Sequence, residues 1–361
     1  MKKTPETEKI YNIIKEKINN GDFKPNEALP KEVDWAVLLD TSRKTLRSAL
    51  TRLALENRVE RIKGKGTFVC DRSQHKNKVL VIVNDVGDIT NPGRYILPGI
   101  MKEAENMCVS IESCSSLSLL CGPADETVNK LIEKKYCGII TLEANFTGKE
   151  PIIPILKACK IPVLVAHGLA SDAENTNFAA LGTDYEQVIR DGIEYLAQCG
   201  HRQIAYFAFG EHRIAKEKYF AILANLGLDS SAELRFESPS HNDHDKIISS
   251  LENWFENLNK KPTALFCFSD YFALCAYEFF RRKNIKIPQD ISILSIGGLI
   301  GCDFFSPALS AIEFNCFSIG ETAMRTIMEM AKNGEMSRPF QVSPHYISDR
   351  ESTMKIMKGY K

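Results

Sequence analysis

Val79-Leu80-Val81-Ile82-Val83 is a continuous apolar run of strand length, and it closes off more folds than any other feature of this 361-residue chain. A strand that is apolar at every position is buried on both faces, the situation of a parallel sheet covered by helices. Parallel neighbours need a crossover between them, so helices must alternate with strands. The sequence supplies them. Helix Ile96–Met107, extended Val109–Ser113, helix Asp125–Lys134, strand Gly138–Leu142, helix Ile153–Cys159 and strand Val163–Ala166 follow in turn. A second series runs through helix Tyr185–Gln198, strand Gln203–Phe209, helix Ala215–Leu226, helix Asp245–Asn257 and strand Ala264–Phe268. It continues with helix Tyr271–Lys283, strand Ile291–Ile296 and a last helix near Ser318–Lys332, with the polar stretch Ser238–Asp245 as a loop. The expectation is a doubly wound α/β body of two lobes, with a small-molecule cleft where the carboxyl ends of the two sets of strands meet.

The first seventy residues follow a different period. Ile10, Ile13, Ile14 and Ile18 form one stripe of a helix that closes at Gly21. Leu29-Pro30-Lys31-Glu32 opens a short helix through Leu39, with Val33, Ala36, Val37 and Leu39 available for burial. Asp40-Thr41-Ser42 caps a third helix, Arg43 to Asn57, whose inward stripe is Leu46, Ala49, Leu50 and Leu53. Its other face carries Arg43, Lys44 and Arg47. Two β-prone segments, Val59–Ile62 and Thr67–Cys70, then flank Lys63-Gly64-Lys65-Gly66 as a hairpin with a basic tip. Three helices and such a hairpin predict a winged helix-turn-helix. Its third helix would enter a major groove, where Arg43 and Arg47 reach phosphate or a guanine edge.

Here the residues resemble the GntR-type DNA-binding domain, over Ile10 to Val69. The motifs are Leu29-Pro30-x-Glu32, Ser42-Arg43-x-Thr45-x-Arg47-x-Ala49-Leu50-x-x-Leu53, and Gly64-x-Gly66-Thr67-Phe68-Val69. The resemblance implies DNA contacts from Lys31, Glu32, Ser42, Arg43, Lys44, Thr45, Arg47, Lys63, Gly64 and Lys65. The family usually has Ser-Glu-Arg after the proline; this chain has Lys31-Glu32-Val33, so Lys31 stands in for the missing base at 33.

Residues 78–350 resemble the periplasmic-binding-protein-like effector domain of LacI/GalR-type regulators. The matches are Gly200-His201-Arg202-Gln203-Ile204-Ala205, Pro262-Thr263-Ala264-Leu265 with Ser269-Asp270-x-x-Ala273-Leu274, Ile287-Pro288-x-Asp290-Ile291-Ser292-Ile293, and Pro307-Ala308-Leu309-Ser310-Ala311-Ile312. The resemblance implies effector contacts from His167, Arg213, Ser269 and Asp270, with Tyr95 and Phe178 as stacking rings. Each has a plainer alternative: Asp270 can cap helix Tyr271–Lys283, His167 can be a turn histidine, and either ring can simply pack. Where that family usually has Gly-Phe-Asp-Asp, this chain has Ser295-Ile296-Gly297-Gly298, so an acid that takes ligand hydroxyls is missing.

Net charge is zero, yet residues 1–78 carry 18 Lys+Arg against 11 Asp+Glu, leaving the remainder acidic. The basic part is suited to a polyanion and the acidic part to something else. Asp71–Asn77 is polar and reads as a linker between a domain of residues 1–70 and the body. Eleven cysteines without a CxxC pair fit reduced core thiols, and Met1–Glu6 lacks the apolar stretch of a secretory signal, so a cytoplasmic location is expected. Phosphate-cradling, HExxH and GxSxG motifs are absent from the sequence, so no catalytic residue, metal or cofactor is expected. The resulting expectation is a homodimeric, ligand-responsive regulator, a repressor, that binds a twofold DNA operator and a sugar or sugar-like metabolite. The alternatives are a regulator whose effector domain no longer senses, a pyridoxal-phosphate-type fusion regulator, and a plain small-molecule binding protein.

Overall fold

The computed structural model describes residues 6–56, 58–62, 64–70, 77–84, 91–210, 213–298 and 301–356. Position 63 and residues 71–76 of the expected linker fall outside these.

The amino-terminal unit comprises α1 (Glu6–Asn19), α2 (Glu32–Leu38), α3 (Arg43–Leu55), β1 (Val59–Ile62) and β2 (Gly66–Val69). The α3 stripe of Leu46, Ala49, Leu50 and Leu53 is wholly buried against Ile10, Tyr11, Ile14 and Ile18 of α1. β1 and β2 pair antiparallel, Val59 opposite Val69 and Ile62 opposite Gly66. The segment before α2 adds to this hairpin, since Leu29 N–H donates to Thr67 O and Val69 N–H donates to Glu27 O.

The short helix buries Ala36 as expected and half-buries Leu39, but not the two valines. Trp35 and Ala36 face the core, while Val33, Val37 and Leu38 are 50 %, 80 % and 76 % exposed. The indole fills more space than a valine and packs edge-on against Phe23, so the aromatic residue sets the helix's rotation.

The body begins with lobe 1: β3 (Lys78–Val83), α4 (Gly93–Met107), β4 (Ser110–Ser115), α5 (Ser116–Leu120), α6 (Ala124–Glu133), β5 (Gly138–Thr141), α7 (Ile152–Ala158), β6 (Val163–Gly168), α8 (Ala170–Thr176) and β7 (Ala179–Gly182). The chain then enters lobe 2: α9 (Tyr185–Gln198), β8 (Ile204–Ala208), α10 (Lys216–Asn225), β9 (Arg235–Glu237), α11 (His244–Asn257), β10 (Ala264–Cys267), α12 (Asp270–Arg282), β11 (Ser292–Gly297) and β12 (Ser310–Phe314). It returns to lobe 1 through α13 (Cys316–Asn333) and β13 (Gln341–Val342), and ends in lobe 2 with β14 (His345–Ser348).

The sheets run β13-β7-β6-β5-β3-β4 and β14-β12-β11-β10-β8-β9, parallel except for β14, which pairs antiparallel with β12. Each parallel set therefore reverses its winding beside its first strand, between β3 and β5 and between β8 and β10. Period-two burial explains the two-sided cover: Val79 and Val81 enter one core while Leu80 and Ile82 enter the other. In lobe 1, α4 and α13 cross backbone to backbone, because a Cβ at Gly99 would lie 2.0 Å from Phe317 O and one at Gly320 would lie 2.2 Å from Ile96 O.

Seven helices and strands of the body exceed the expectation: α5, α8, β7, β9, β12, β13 and β14. The body's packing also runs past residue 350. Ser352 is buried and donates to Ile293 O, and Ile356 N–H donates to Cys199 O, so the boundary moves to at least 356. Helix α11 starts at His244, two residues inside the stretch expected to be a loop, because Asp243 caps it. Six cysteines are buried, while Cys121 is exposed. Among the described residues no helix is long and apolar enough to cross a membrane, and no cluster of His, Cys, Asp and Glu is arranged to hold a metal ion.

Candidate functional site

Two regions bring the expected residues together. The first is the amino end of α3. Ser42 occupies the N-cap, its Oγ accepting from Thr45 N–H at 3.0 Å and lying 2.8 Å from Thr45 Oγ1. This cap leaves the positive end of the helix free of acidic side chains in its first turn. Arg43, Lys44 and Arg47 are exposed beside it, as is Lys31 at the start of α2. Together they form an anion-attracting surface.

Glu32, another of the expected contacts, is engaged within the reader itself. Its carboxylate accepts from Arg47 Nε at 3.1 Å and pairs with Arg61 Nη2 at 3.3 Å. Arg61 also donates to Arg47 O. Glu32 thus ties together two arginines, one from α3 and one from β1, beside the exposed cations. Arg61 was missed because in sequence it looks like any strand cation. At the hairpin tip Gly64 has φ +81° and nothing within 4 Å of a would-be Cβ, and Lys65 is exposed, so the tip is open to close approach. Lys63 lies outside the described residues.

The second region is the cleft between the lobes, a cavity of about 410 Å3 at the strands' carboxyl ends. Lobe 1 supplies Asn84 after β3, Asn91 and Pro92 before α4, Glu143 and Asn145 after β5, and His167 in β6. Lobe 2 supplies Tyr185 at the start of α9, Phe209 after β8, Arg213, His241, and Phe268 and Ser269 after β10.

Arg213 is central. Its guanidinium carbon lies 3.8 Å from the Tyr185 ring centroid and 4.6 Å from that of Phe268. Cation–π contact holds it there, but no carboxylate among the described residues lies within ion-pair distance, and its Nε is buried without a hydrogen-bond partner. Burial pulls its pKa down to about 9. His167 has φ +65°, a left-handed backbone that few non-glycine residues adopt. Its Nε2 lies 3.2 Å from Tyr185 Oη, while Nδ1 is buried without a hydrogen-bond partner among the described residues. Burial, and then the charge of Arg213, lower its pKa to about 3, so the imidazole is neutral near pH 7.

The remaining expected residues divide. Ser269 lines the cavity and also caps α12, accepting from Phe272 N–H, so the capping role considered for Asp270 belongs to its neighbour. Asp270 is buried behind the cavity wall, where Ser295 Oγ–H donates to its Oδ1 at 2.6 Å. Tyr95 is half-buried in the core between the lobes and does not line the cavity. Phe178 is no stacking ring: it is 5 % exposed within the lobe 1 core, because it precedes β7 on the side facing α7 and α8. At the end of β11 the second of the two glycines has a steric origin, since a Cβ at Gly298 would lie 2.4 Å from Glu313 Cγ. Tyr185, Phe209, Phe268, His241, Glu143 and the asparagines were missed. Their shared signal is position, each lying just after a strand or at the mouth of a helix.

The fold and these two regions define a class: a winged helix-turn-helix joined to a two-lobed, periplasmic-binding-protein-type body. Comparison with known proteins makes this specific. Residues 6–69 match bacterial regulatory proteins of the gntR family, and residues 193–353 match the periplasmic binding protein-like domain. The protein thus carries a gntR-type helix-turn-helix followed by a periplasmic-binding-protein-like domain. It is 24% identical over 341 residues to the arabinose metabolism transcriptional repressor of Geobacillus stearothermophilus, covering 89% of this chain and 90% of that one. It is 26% identical over 230 residues to catabolite control protein A of Staphylococcus epidermidis, covering 63% and 68%. The crystal structure of the lac repressor dimer bound to operator and an anti-inducer shares the body's fold, with a TM-score of 0.60 at 18% identity over 77% of this chain and 94% of that one.

Proposed function

We propose that this protein is a ligand-responsive transcriptional repressor, acting as a homodimer on a twofold DNA operator and binding a sugar-like metabolite between its lobes. The observation that carries the reading is the pairing of an exposed cationic helix end with a cleft whose arginine has no counter-charge among the described residues. Arg43, Lys44, Thr45 and Arg47 meet the major groove, Lys31 and Lys65 meet phosphate, and Gly64 lets the wing approach the backbone. His167, Arg213 and Ser269 hold the effector. One reader contacts few base pairs, and a second copy on a symmetric site multiplies them.

Lobe closure on the effector changes how the two readers are presented. A coupling of about 1–3 kcal/mol suffices to alter operator affinity roughly 5- to 150-fold. The protein works by binding rather than turnover, in the cytoplasm where its operator lies. A cavity lined by both polar and aromatic side chains favours a sensing body over one that has lost its ligand. Footprinting on the DNA flanking the protein's own coding region is the test. Two protected half-sites about one or two helical turns apart are expected; uniform or absent protection contradicts the reading.

A further inference from the structure

The cleft has an imbalance that a neutral sugar does not resolve. Arg213 is a cation sandwiched between Tyr185 and Phe268, and among the described residues no acid is paired with it. Removing a charge from water without a partner is costly, so such an arrangement persists where a ligand completes it. The acids nearby are committed elsewhere or distant. Asp270 accepts from Ser295 behind the wall, and Glu313 is paired with Arg350 at 2.6 Å. Glu143 lines the same cavity from lobe 1 but lies beyond ion-pair distance of Arg213. Residues 297 and 298, where an acid would take hydroxyls, are glycines with no room for a side chain at 298.

We propose that the effector bears an anionic group, a carboxylate or a phosphate ester, which pairs with Arg213 while its hydroxylated remainder reaches Glu143 and the asparagines of lobe 1. This deepens the reading above and rests on the cleft being the effector site. Guanidinium suits either oxyanion, because its planar fork matches both. Tyr185, Phe209 and Phe268 provide apolar faces for the carbon frame beside it. Neutral His167 adds no competing charge, and its buried Nδ1, without a partner among the described residues, is left to meet the ligand. The two lobes then grip unlike ends of one molecule, so closure requires both.

Matched trios test this on the full chain by calorimetry: glucose, glucuronate and glucose 6-phosphate, with the corresponding ribose and galactose sets. In at least one trio an acidic member should bind at least ~30-fold more tightly than its neutral parent, and Arg213→Gln should remove that preference. Arg213→Lys, which keeps the charge but loses the fork, should retain part of it. Preference for the uronate or for the phosphate identifies the source of the charge. The wild-type ranking needs no variant, so a misfolded Arg213→Gln leaves the proposal exposed to refutation. Neutral parents binding as well as their acids would overturn the charge assignment and leave the effector cleft standing. Binding by no member of any trio would overturn the assignment, and if operator binding by the same sample were also insensitive to all of them, the effector reading would fall with it.

Discussion

The two functional regions treat their cations in opposite ways. At the reader, Arg43, Lys44 and Lys65 stand in water and Arg47 shares Glu32 with Arg61. In the cleft, Arg213 lies between two aromatic rings, and among the described residues no acid is within ion-pair distance of it. The difference follows from the partner. A duplex presents a repeating, hydrated polyanion, for which exposed charges pay little desolvation and need only be numerous and roughly aligned. A small molecule offers one or two groups, so its receptor must pre-position a few side chains in a dry setting where each contact is strong.

That contrast can be broken or sharpened experimentally, beginning with the largest effect. Leu50→Ala empties the reader's core and should cost about 2–5 kcal/mol there, abolishing operator binding while ligand affinity of the cleft persists. Loss of both activities in one transition would show that the regions are not independent. Arg47→Ala should weaken a specific operator by about 1–3 kcal/mol and spare the cleft; an unchanged gel shift would remove Arg47 from the groove.

Asp270→Ala should lower stability by about 1–3 kcal/mol through the orphaned Ser295 hydroxyl, with ligand affinity little changed, as chemical denaturation beside calorimetry would record. Lost affinity at unchanged stability would put Asp270 in the site after all. A smaller effect concerns pH. The native fold keeps His167 neutral down to about 3, whereas the unfolded chain protonates it near 6.5. Unfolding therefore takes up a proton between those values, and stability falls as pH drops through that window. His167→Gln should flatten that part of the stability profile; an identical slope would mean that the imidazole titrates normally.

The regions also differ in how far the sequence discloses them. The α3 stripe and its basic face follow a helical period within a dozen residues, so both were readable, and α9 was expected at Tyr185–Gln198 where it lies. Local pattern failed when neighbours decided the outcome. Trp35 overrode the valines in rotating α2, and β13 and β14 are short segments that become strands by pairing with β7 and β12. In the cleft, Arg213, His167 and Ser269 were legible through resemblance, but Tyr185 and Phe268, which hold Arg213, lie 83 positions apart and meet only through the topology. Phe178 shows the converse: an aromatic residue at a strand entrance can face a core as readily as a cleft, and no period distinguishes the two.

The central claim is that the exposed cations and the enclosed one serve a single linked equilibrium. Fluorescence anisotropy of a labelled duplex from the protein's own upstream DNA tests it directly, titrated at low and moderate salt with and without whichever acidic sugar stabilises the cleft. The account predicts binding that weakens by about 0.9 log unit per phosphate contact for each tenfold rise in salt, and that shifts roughly 5- to 150-fold on adding ligand. Salt-independent binding, or an operator affinity indifferent to a ligand that demonstrably occupies the cleft, would contradict it.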